Sequence, residues 1–309
     1  MSASPAPGRL KRRALRYFGT ARRALSQDVA RELVRRQAVY CGDHVVLTRI
    51  KNGRRIYLDM RDASLAPGIA LGDEYEPDVA AVLGALARPG DTFFDVGANV
   101  GYHSLLLRDA VTKGGGQMHL FEPNPTMHRL LQRTFHANAF WQGVSIRRVA
   151  LSDREGVGQF TVYEDMWGGA RLQDPHELAS SNHAWAMSAA VREQFEVPTT
   201  TVDQYCQDNA IARINLMKID VEGHEDAVFA GMSQIAASSP ELRVVMEYTF
   251  GAYADGAGFW AQLTELFPYR YFIEGNGHLT AVTTLDDLRS RTEIELANIV
   301  LSKSAVGTP

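Results

Sequence analysis

The chain of 309 residues carries 32 Lys and Arg against 36 Asp and Glu, for a net charge of −4, and is 45% hydrophobic and 22% charged. These are the proportions of a soluble globular protein, within the size range of one α/β domain with additions. No run of about eighteen apolar residues exists to span a bilayer, and two cysteines far apart, Cys41 and Cys206, exclude a disulfide framework or a cysteine-rich zinc site.

The charge is uneven. Within the first forty residues ten basic side chains (Arg9, Lys11, Arg12, Arg13, Arg16, Arg22, Arg23, Arg31, Arg35 and Arg36) face only Asp28 and Glu32, so this segment is +8 and the remainder −12. Leu10, Leu15, Phe18, Leu25, Val29 and Leu33 recur at roughly helical spacing, which predicts a basic amphipathic arm over residues 1–40. Such an arm either packs on the domain or lies on an anionic membrane surface. The segment lacks the continuous apolar core of a secretory leader. The expectation is therefore a cytoplasmic protein, with peripheral contact to the inner membrane face through residues 9–36 as the alternative to packing, and no nucleic-acid partner.

Residues 41–77 read as a small β-hairpin and lead-in. Val45 to Thr48 and Arg55 to Leu58 are β-rich runs around Asn52-Gly53, a strong hairpin signal. Gly72 to Pro77 (GDEYEP) then leads into an alanine- and leucine-rich helix over 78–87, with Tyr75 and Glu76 near its start, where Glu76 suits a helix-capping position or a ligand contact.

The catalytic-type domain is expected over 78–303. Thr92 to Val96 is an apolar strand that runs into Gly97-Ala98-Asn99-Val100-Gly101 and at once into a helix from Tyr102. Gly97 permits a positive φ and close backbone approach, Asn99 tolerates the left-handed region, and Gly101 lets the helix start lie against the sheet. A second strand, Gln117 to Phe121, ends in Glu122-Pro123-Asn124-Pro125. A carboxylate there is placed to accept hydrogen bonds from both hydroxyls of a ribose. The loop is not a dinucleotide fingerprint, because Asn99 stands where the second glycine belongs and Asp95 would repel phosphates while suiting a cationic amino-acid head. The D-x-G-x-N-x-G form followed by Glu-Pro resembles a class I S-adenosylmethionine-dependent methyltransferase.

A helix over 126–140 and a third strand, Val144 to Leu151, lead to Ser152-Asp153, where Asp153 either accepts a hydrogen bond from an adenine amino group or simply begins the turn before a strand at 157–162. Residues 164–196, with Trp167, Pro175, His176 and Trp185 among small polar residues, form the least regular stretch and are expected to act as a substrate lid. Beyond it Ile214 to Ile219 is a strongly apolar strand that ends in Asp220-Val221-Glu222-Gly223-His224-Glu225.

The run Lys218-Ile219-Asp220-Val221-Glu222-Gly223-His224-Glu225 resembles a hallmark of the FkbM family of methyltransferases, as do DVGANVGYHS, FEPNP, the ALSD turn and Asn298-Ile299-Val300 in the last strand. The resemblance spans roughly residues 72–302. It implies S-adenosyl-L-methionine as cofactor and O-methylation of a hydroxyl on a sugar, glycolipid or polyketide-like acceptor. The alternation of strands and helices predicts a doubly wound, mainly parallel α/β sheet of seven strands, Rossmann-like, preceded by the basic helix and the hairpin. Candidate cofactor contacts are Asp95, Gly97, Asn99, Gly101, Glu122, Asn124 and Asp153. Candidate catalytic residues are Asp220, Glu222 and His224 at the fourth strand's carboxyl end: His224 suits a general base, Asp220 either takes the proton or binds the amino group of the cofactor's methionine part, and Glu222, like Glu225, suits a helix N-terminus. Asp220, Glu222 and Glu247 also offer hard oxygen ligands to Mg²⁺, although no tight ligand cluster in the sequence requires a metal. A nucleotide-dependent oxidoreductase and a non-catalytic membrane-associated module are the competing readings.

Overall fold

A computed structural model describes residues 38–164, 166–173 and 191–307. The basic segment 9–36 and residues 174–190 at the centre of the expected lid lie outside the described residues. Strands β1 (Val39–Tyr40), β2 (Val45–Arg49) and β3 (Arg55–Asp59) form a three-stranded antiparallel sheet, with the expected turn at Asn52-Gly53. Its Ile56 and Leu58 are fully buried in a core shared with the domain that follows, so the hairpin is part of one packed body. Helix α1 (Ala66–Leu71), absent from the expected elements, leads to α2 (Pro77–Leu86).

The main unit continues as β4 (Thr92–Val96), α3 (Tyr102–Thr112), β5 (Gln117–Phe121), α4 (Pro125–Ala137), β6 (Val144–Arg147) and β7 (Ala150–Leu151). Then come β8 (Gly156–Tyr163), β9 (Met166–Gln173), β10 (Val191–Thr200), α5 (Val202–Asp208), β11 (Leu216–Ile219), α6 (Glu225–Ala230), α7 (Ser233–Ser238) and β12 (Arg243–Thr249). The described chain closes with α8 (Gly256–Leu266), β13 (Tyr269–Ile273), β14 (Leu279–Ala281), α9 (Leu285–Arg289) and β15 (Leu296–Ser302).

The main sheet has the order β14-β13-β15-β12-β11-β4-β5-β6, parallel from β12 through β6 and antiparallel at β12–β15, β15–β13 and β13–β14. It has eight strands rather than the expected seven, because the turn at Asn276-Gly277 sends the chain back as the short edge strand β14. Successive residues alternate between faces: Phe93 belongs to the core under α2, α3 and α4, and Phe94 to the core under α5, α6, α7 and α8. Helices therefore cover both faces, as a doubly wound sheet requires.

Two further expectations are corrected. The stretch Val144 to Leu151 is not one strand: β6 stays on the main sheet, and β7 pairs in parallel with β10 in a second, four-stranded sheet of order β7-β10-β8-β9. Both ends of the supposedly irregular lid are strands of that sheet, β9 and β10, each antiparallel to β8. Their glycines and scattered charges hide the two-residue period from sequence reading, and the pairing with β8 supplies it.

Beneath the sheet's amino-terminal edge Arg243 is almost fully buried. Its guanidinium donates to both carboxylate oxygens of Asp91 at 3.0 and 3.1 Å, to the Leu86 carbonyl and to the Asn215 carbonyl at 3.1 Å, tying α2, β4 and β12 together. Removing one member leaves a buried charge unpaired. Asp91→Ala is expected to cost about 3–5 kcal/mol in urea unfolding. A loss below about 1 kcal/mol, of the order of an exposed pair, would show that the pair does not brace the sheet.

Candidate active site

The chain winds outward from β4 to β5 and β6 and then returns on the other side to β11, so β4 and β11 flank the topological switch point, where open α/β sheets keep their ligands. Gly97 crosses this point with φ +81°, and a Cβ on it would lie 1.8 Å from the Asp220 carbonyl oxygen. Position 97 therefore accepts only glycine, as expected. Gly101 also needs its glycine, at φ +86°, for a different reason from the one expected: a Cβ there would meet Leu131 and Phe135 of α4, so the α3 start lies against a helix rather than the sheet.

Asn99 takes the left-handed conformation at φ 50°. Its N–H donates to Oε2 of Glu122 at 2.8 Å, and the Asn124 N–H donates to Oε1 at 2.8 Å, so the Glu122 carboxylate is fixed from both sides by backbone. The Asn124 side chain turns the other way and caps α4, accepting from the Thr126 and Met127 amides. Burial raises the Glu122 pKa to about 7, outweighing its two amide donors, with Asp95 and Asp220 adding to the rise. Buried Asp95 accepts from Ser104 Oγ at 2.5 Å through Oδ2, while its Oδ1 and the Asn99 Oδ1 have no hydrogen-bond partner.

Across the switch point Asp220 accepts from Lys218 Nζ at 2.8 Å. Glu222 stands at φ 58°, and no hydrogen bond to its carboxylate is present among the described residues. Burial, then the charges of Asp220, Glu225 and Glu76, raise its pKa well above the ordinary carboxylate value despite Lys218. Neither glutamate caps the helix that starts at Glu225; Glu225 instead braces the preceding loop, its Oε1 accepting from the Val221 and Gly223 amides and its Oε2 from the Tyr253 hydroxyl at 2.9 Å. His224 lies with Nε2 2.9 Å from Ser152 Oγ, which binds this loop to the end of β7. Asp220, Glu222 and Glu247 each bring one oxygen within 4.8 Å of the others, a set of hard donors able to hold a divalent cation.

These groups gather around one cavity that opens to solvent. Asp95, Gly97, Asn99, Glu122, Asn124, Asp220, Glu222 and His224 all line it, whereas Gly101 and Asp153 do not. Asp153 is exposed and paired with Arg154 at 3.3 Å. Ser152 Oγ stands between Asp153 and His224, 2.9 Å from His224 Nε2 and donating to Asp153 Oδ1 at 3.1 Å, so Asp153 sits one side chain back from the cavity. Where an adenine contact was expected, the wall is instead apolar, built from Met127, Leu151, Phe160 and Leu172, the last two from the four-stranded sheet. Sequence reading missed Lys218, a charge set inside an apolar strand, and His103, a titratable side chain in the first turn after the glycine loop; those placements were the available signals. Glu76, expected at a helix cap or ligand contact, makes no cap hydrogen bond and instead bonds His103 at 2.8 Å. An apolar slot, a carboxylate braced for two hydroxyls, and orphaned acceptor oxygens on Asp95 and Asn99 suit a nucleoside carrying a cationic head.

A model of the methyltransferase FkbM domain matches residues 95–288. The 31-O-demethyl-FK506 methyltransferase FkbM of Streptomyces tacrolimicus is 31% identical over 229 residues, covering 68% of this chain and 81% of that protein. The hexuronic acid methyltransferase AglP of Haloferax volcanii is 27% identical over 164 residues, 53% of this chain and 59% of its own length. A crystal structure of a methyltransferase FkbM from Methylobacillus flagellatus KT superposes with a TM-score of 0.41 at 12% identity, over 79% of this chain and 61% of that one. Family model and first relative together replace the oxidoreductase and non-catalytic readings: the chain belongs to the FkbM methyltransferase family, and its cofactor is S-adenosyl-L-methionine.

Proposed function

We propose that the protein is an O-methyltransferase acting on a hydroxyl of a sugar, glycolipid or polyketide-like acceptor. The observation that carries this reading is the pair Asp220 and Glu222 at the carboxyl end of β11, opening into the same cavity as the Gly97 loop and Glu122. The relatives named for a hexuronic acid and for a demethylated FK506 support the acceptor class. In this reading the arm spans 1–40, the hairpin and lead-in 41–77, and the catalytic domain 78–303. The described strand 166–173 borders the acceptor, supported by Ala170 and Leu172 in the cavity wall, while residues 174–190 of the expected lid at 164–196 lie outside the described residues.

The bound cofactor supplies a methyl group on a sulfonium, an electrophile that needs no further activation. The enzyme's part is to hold the acceptor oxygen in line and remove its proton. Glu222 takes that proton: its carboxyl is strengthened as a base by burial and by neighbouring carboxylates, and it is not committed to a structural hydrogen bond. Asp220, anchored by Lys218, accepts a hydrogen bond that orients the hydroxyl. His224, engaged with Ser152, holds the loop that carries them.

Tritiated S-adenosylmethionine incubated with uronic-acid oligosaccharides and with polyketide lactones bearing a free hydroxyl is expected to label one class as an alkali-stable methyl ether. Label found only in an alkali-labile ester would overturn the hydroxyl assignment. Glu222→Gln should lower kcat by about 10²–10⁴-fold while leaving affinity for S-adenosylhomocysteine within about threefold; an equal fall in affinity would move Glu222 to the cofactor site.

Glu122→Ala should weaken S-adenosylhomocysteine binding about tenfold to hundredfold, since two ribose hydroxyls lose their acceptor. Because the Glu122 pKa is raised to about 7 and the ligand favours its ionised form, affinity should be full above that pH and decline as pH falls through it. Glu122→Gln should flatten that profile, and an unaltered profile in that variant rules the assignment out.

The +8 charge of the first forty residues further supports peripheral contact with an anionic membrane. No helix among the described residues is long and apolar enough to cross one. Full-length protein is expected to sediment with anionic liposomes at low salt and to lose this on deletion of residues 1–40; equal sedimentation of both forms would exclude the arm.

A further inference from the structure

Lys218 is the one lysine or arginine lining the cavity among the described residues, and it is 5% exposed. Its Nζ donates to Asp220 at 2.8 Å, and in strand register it stands opposite Asp95. His103, also 5% exposed, lines the same cavity. Its Nε2 lies 2.8 Å from Glu76 Oε2, and its Nδ1 has no hydrogen-bond partner.

Glu76 does not line the cavity. It stands in the left-handed region (φ 42°, ψ 61°) and spends its carboxylate on His103 rather than on capping α2. The conformation costs a non-glycine residue energy, and such strain persists where the surroundings enforce it. Burial favours a neutral Glu76, yet the His103 hydrogen bond and the Lys218 charge hold its pKa at about 2. An ionised Glu76 only accepts, so Nε2 of His103 carries a proton.

The cofactor's amino-acid head is a zwitterion. Asp95 Oδ1 and Asn99 Oδ1 are unused acceptors suited to its ammonium, and the carboxylate requires donors at the same end of the cavity. We propose that His103 and Lys218 form the subsite for the cofactor's carboxylate, with Glu76 positioning the His103 ring. This deepens the cofactor assignment and rests on it. In the proposed subsite His103 donates one ring N–H to Glu76 and turns the other ring nitrogen, unpartnered in the structure, to the bound carboxylate. The arrangement follows the logic by which a buried carboxylate orients a histidine in a catalytic triad, used here to bind rather than to remove a proton.

The test is calorimetric and needs no acceptor. S-adenosylhomocysteine carries the amino-acid tail, and 5′-methylthioadenosine is the same nucleoside thioether without it. His103→Ala is expected to weaken S-adenosylhomocysteine about tenfold or more and to leave 5′-methylthioadenosine within about twofold, which also certifies that the variant is folded. Glu76→Gln, which keeps an acceptor but removes its charge, should give a smaller loss confined to S-adenosylhomocysteine. Equal losses for the two ligands would reduce His103 to a structural residue, and unchanged affinity for both would remove it from the cofactor site; either result overturns the proposal. Wild-type protein that binds neither ligand would instead bring down the cofactor assignment and this subsite with it.

Discussion

No side chain fits at position 97. The backbones of the Gly97 loop and of the β11 end approach so closely that a Cβ would sit 1.8 Å from the Asp220 carbonyl oxygen, and the Asp220 amide is bonded to the Val96 carbonyl at 3.0 Å. This contact lays the glycine loop flat across the switch point. It brings the residues that leave β4 and those that leave β11 to one cavity, although more than a hundred positions separate them in the chain. The Gly97 and Ala98 amides, both bonded to the Phe121 carbonyl, attach the end of β5 to the same loop. Glu122 then continues that attachment through its two backbone donors.

Three glutamates around the cavity illustrate how one residue type takes different parts. All have pKa values raised first by burial, so desolvation alone does not distinguish them. Hydrogen bonding does. Glu225 is engaged by two loop amides and a tyrosine hydroxyl and so belongs to the framework. Glu122 is held by two amides, one on each carboxylate oxygen, and lines the cavity. Glu222 has no such engagement among the described residues, which is what sets it apart as the proposed base. Against this concentration of carboxyl groups Lys218 supplies the compensating charge, and its place among Asp220, Asp95 and Glu76 is what makes a buried lysine tolerable.

The four-stranded sheet adds a wall that the switch point alone does not provide. Strand β7 leaves the edge of the main sheet at Arg148-Val149 and pairs with β10, so the second sheet hangs from the end of β6 and overhangs the cavity. Phe160 and Leu172 present apolar surface to it, and Phe160 packs on Phe195 with ring centroids 5.6 Å apart. This apolar wall lines the same cavity as the charged Asp95, His103 and Lys218, of which Asp95 and Lys218 are register partners on adjacent strands.

Much of this protein was legible before any coordinate. The apolar strands at 92–96 and 117–121 declare themselves by composition and by the turn residues that bound them, because a buried parallel strand needs little beyond local hydrophobicity. Gly97, Asn99 and Glu122 were readable because backbone conformation and strand-end position are local properties. Tertiary structure alone decided that Ser152 and not Asp153 faces inward, that β14 adds an eighth strand, and that the lid's ends are sheet. It also decided that Glu76 serves a histidine 27 residues away instead of its own helix. Each of these turns on which distant segment supplies the hydrogen-bond partner, and spacing along the chain carries no information about a partner that arrives only when the sheet has closed.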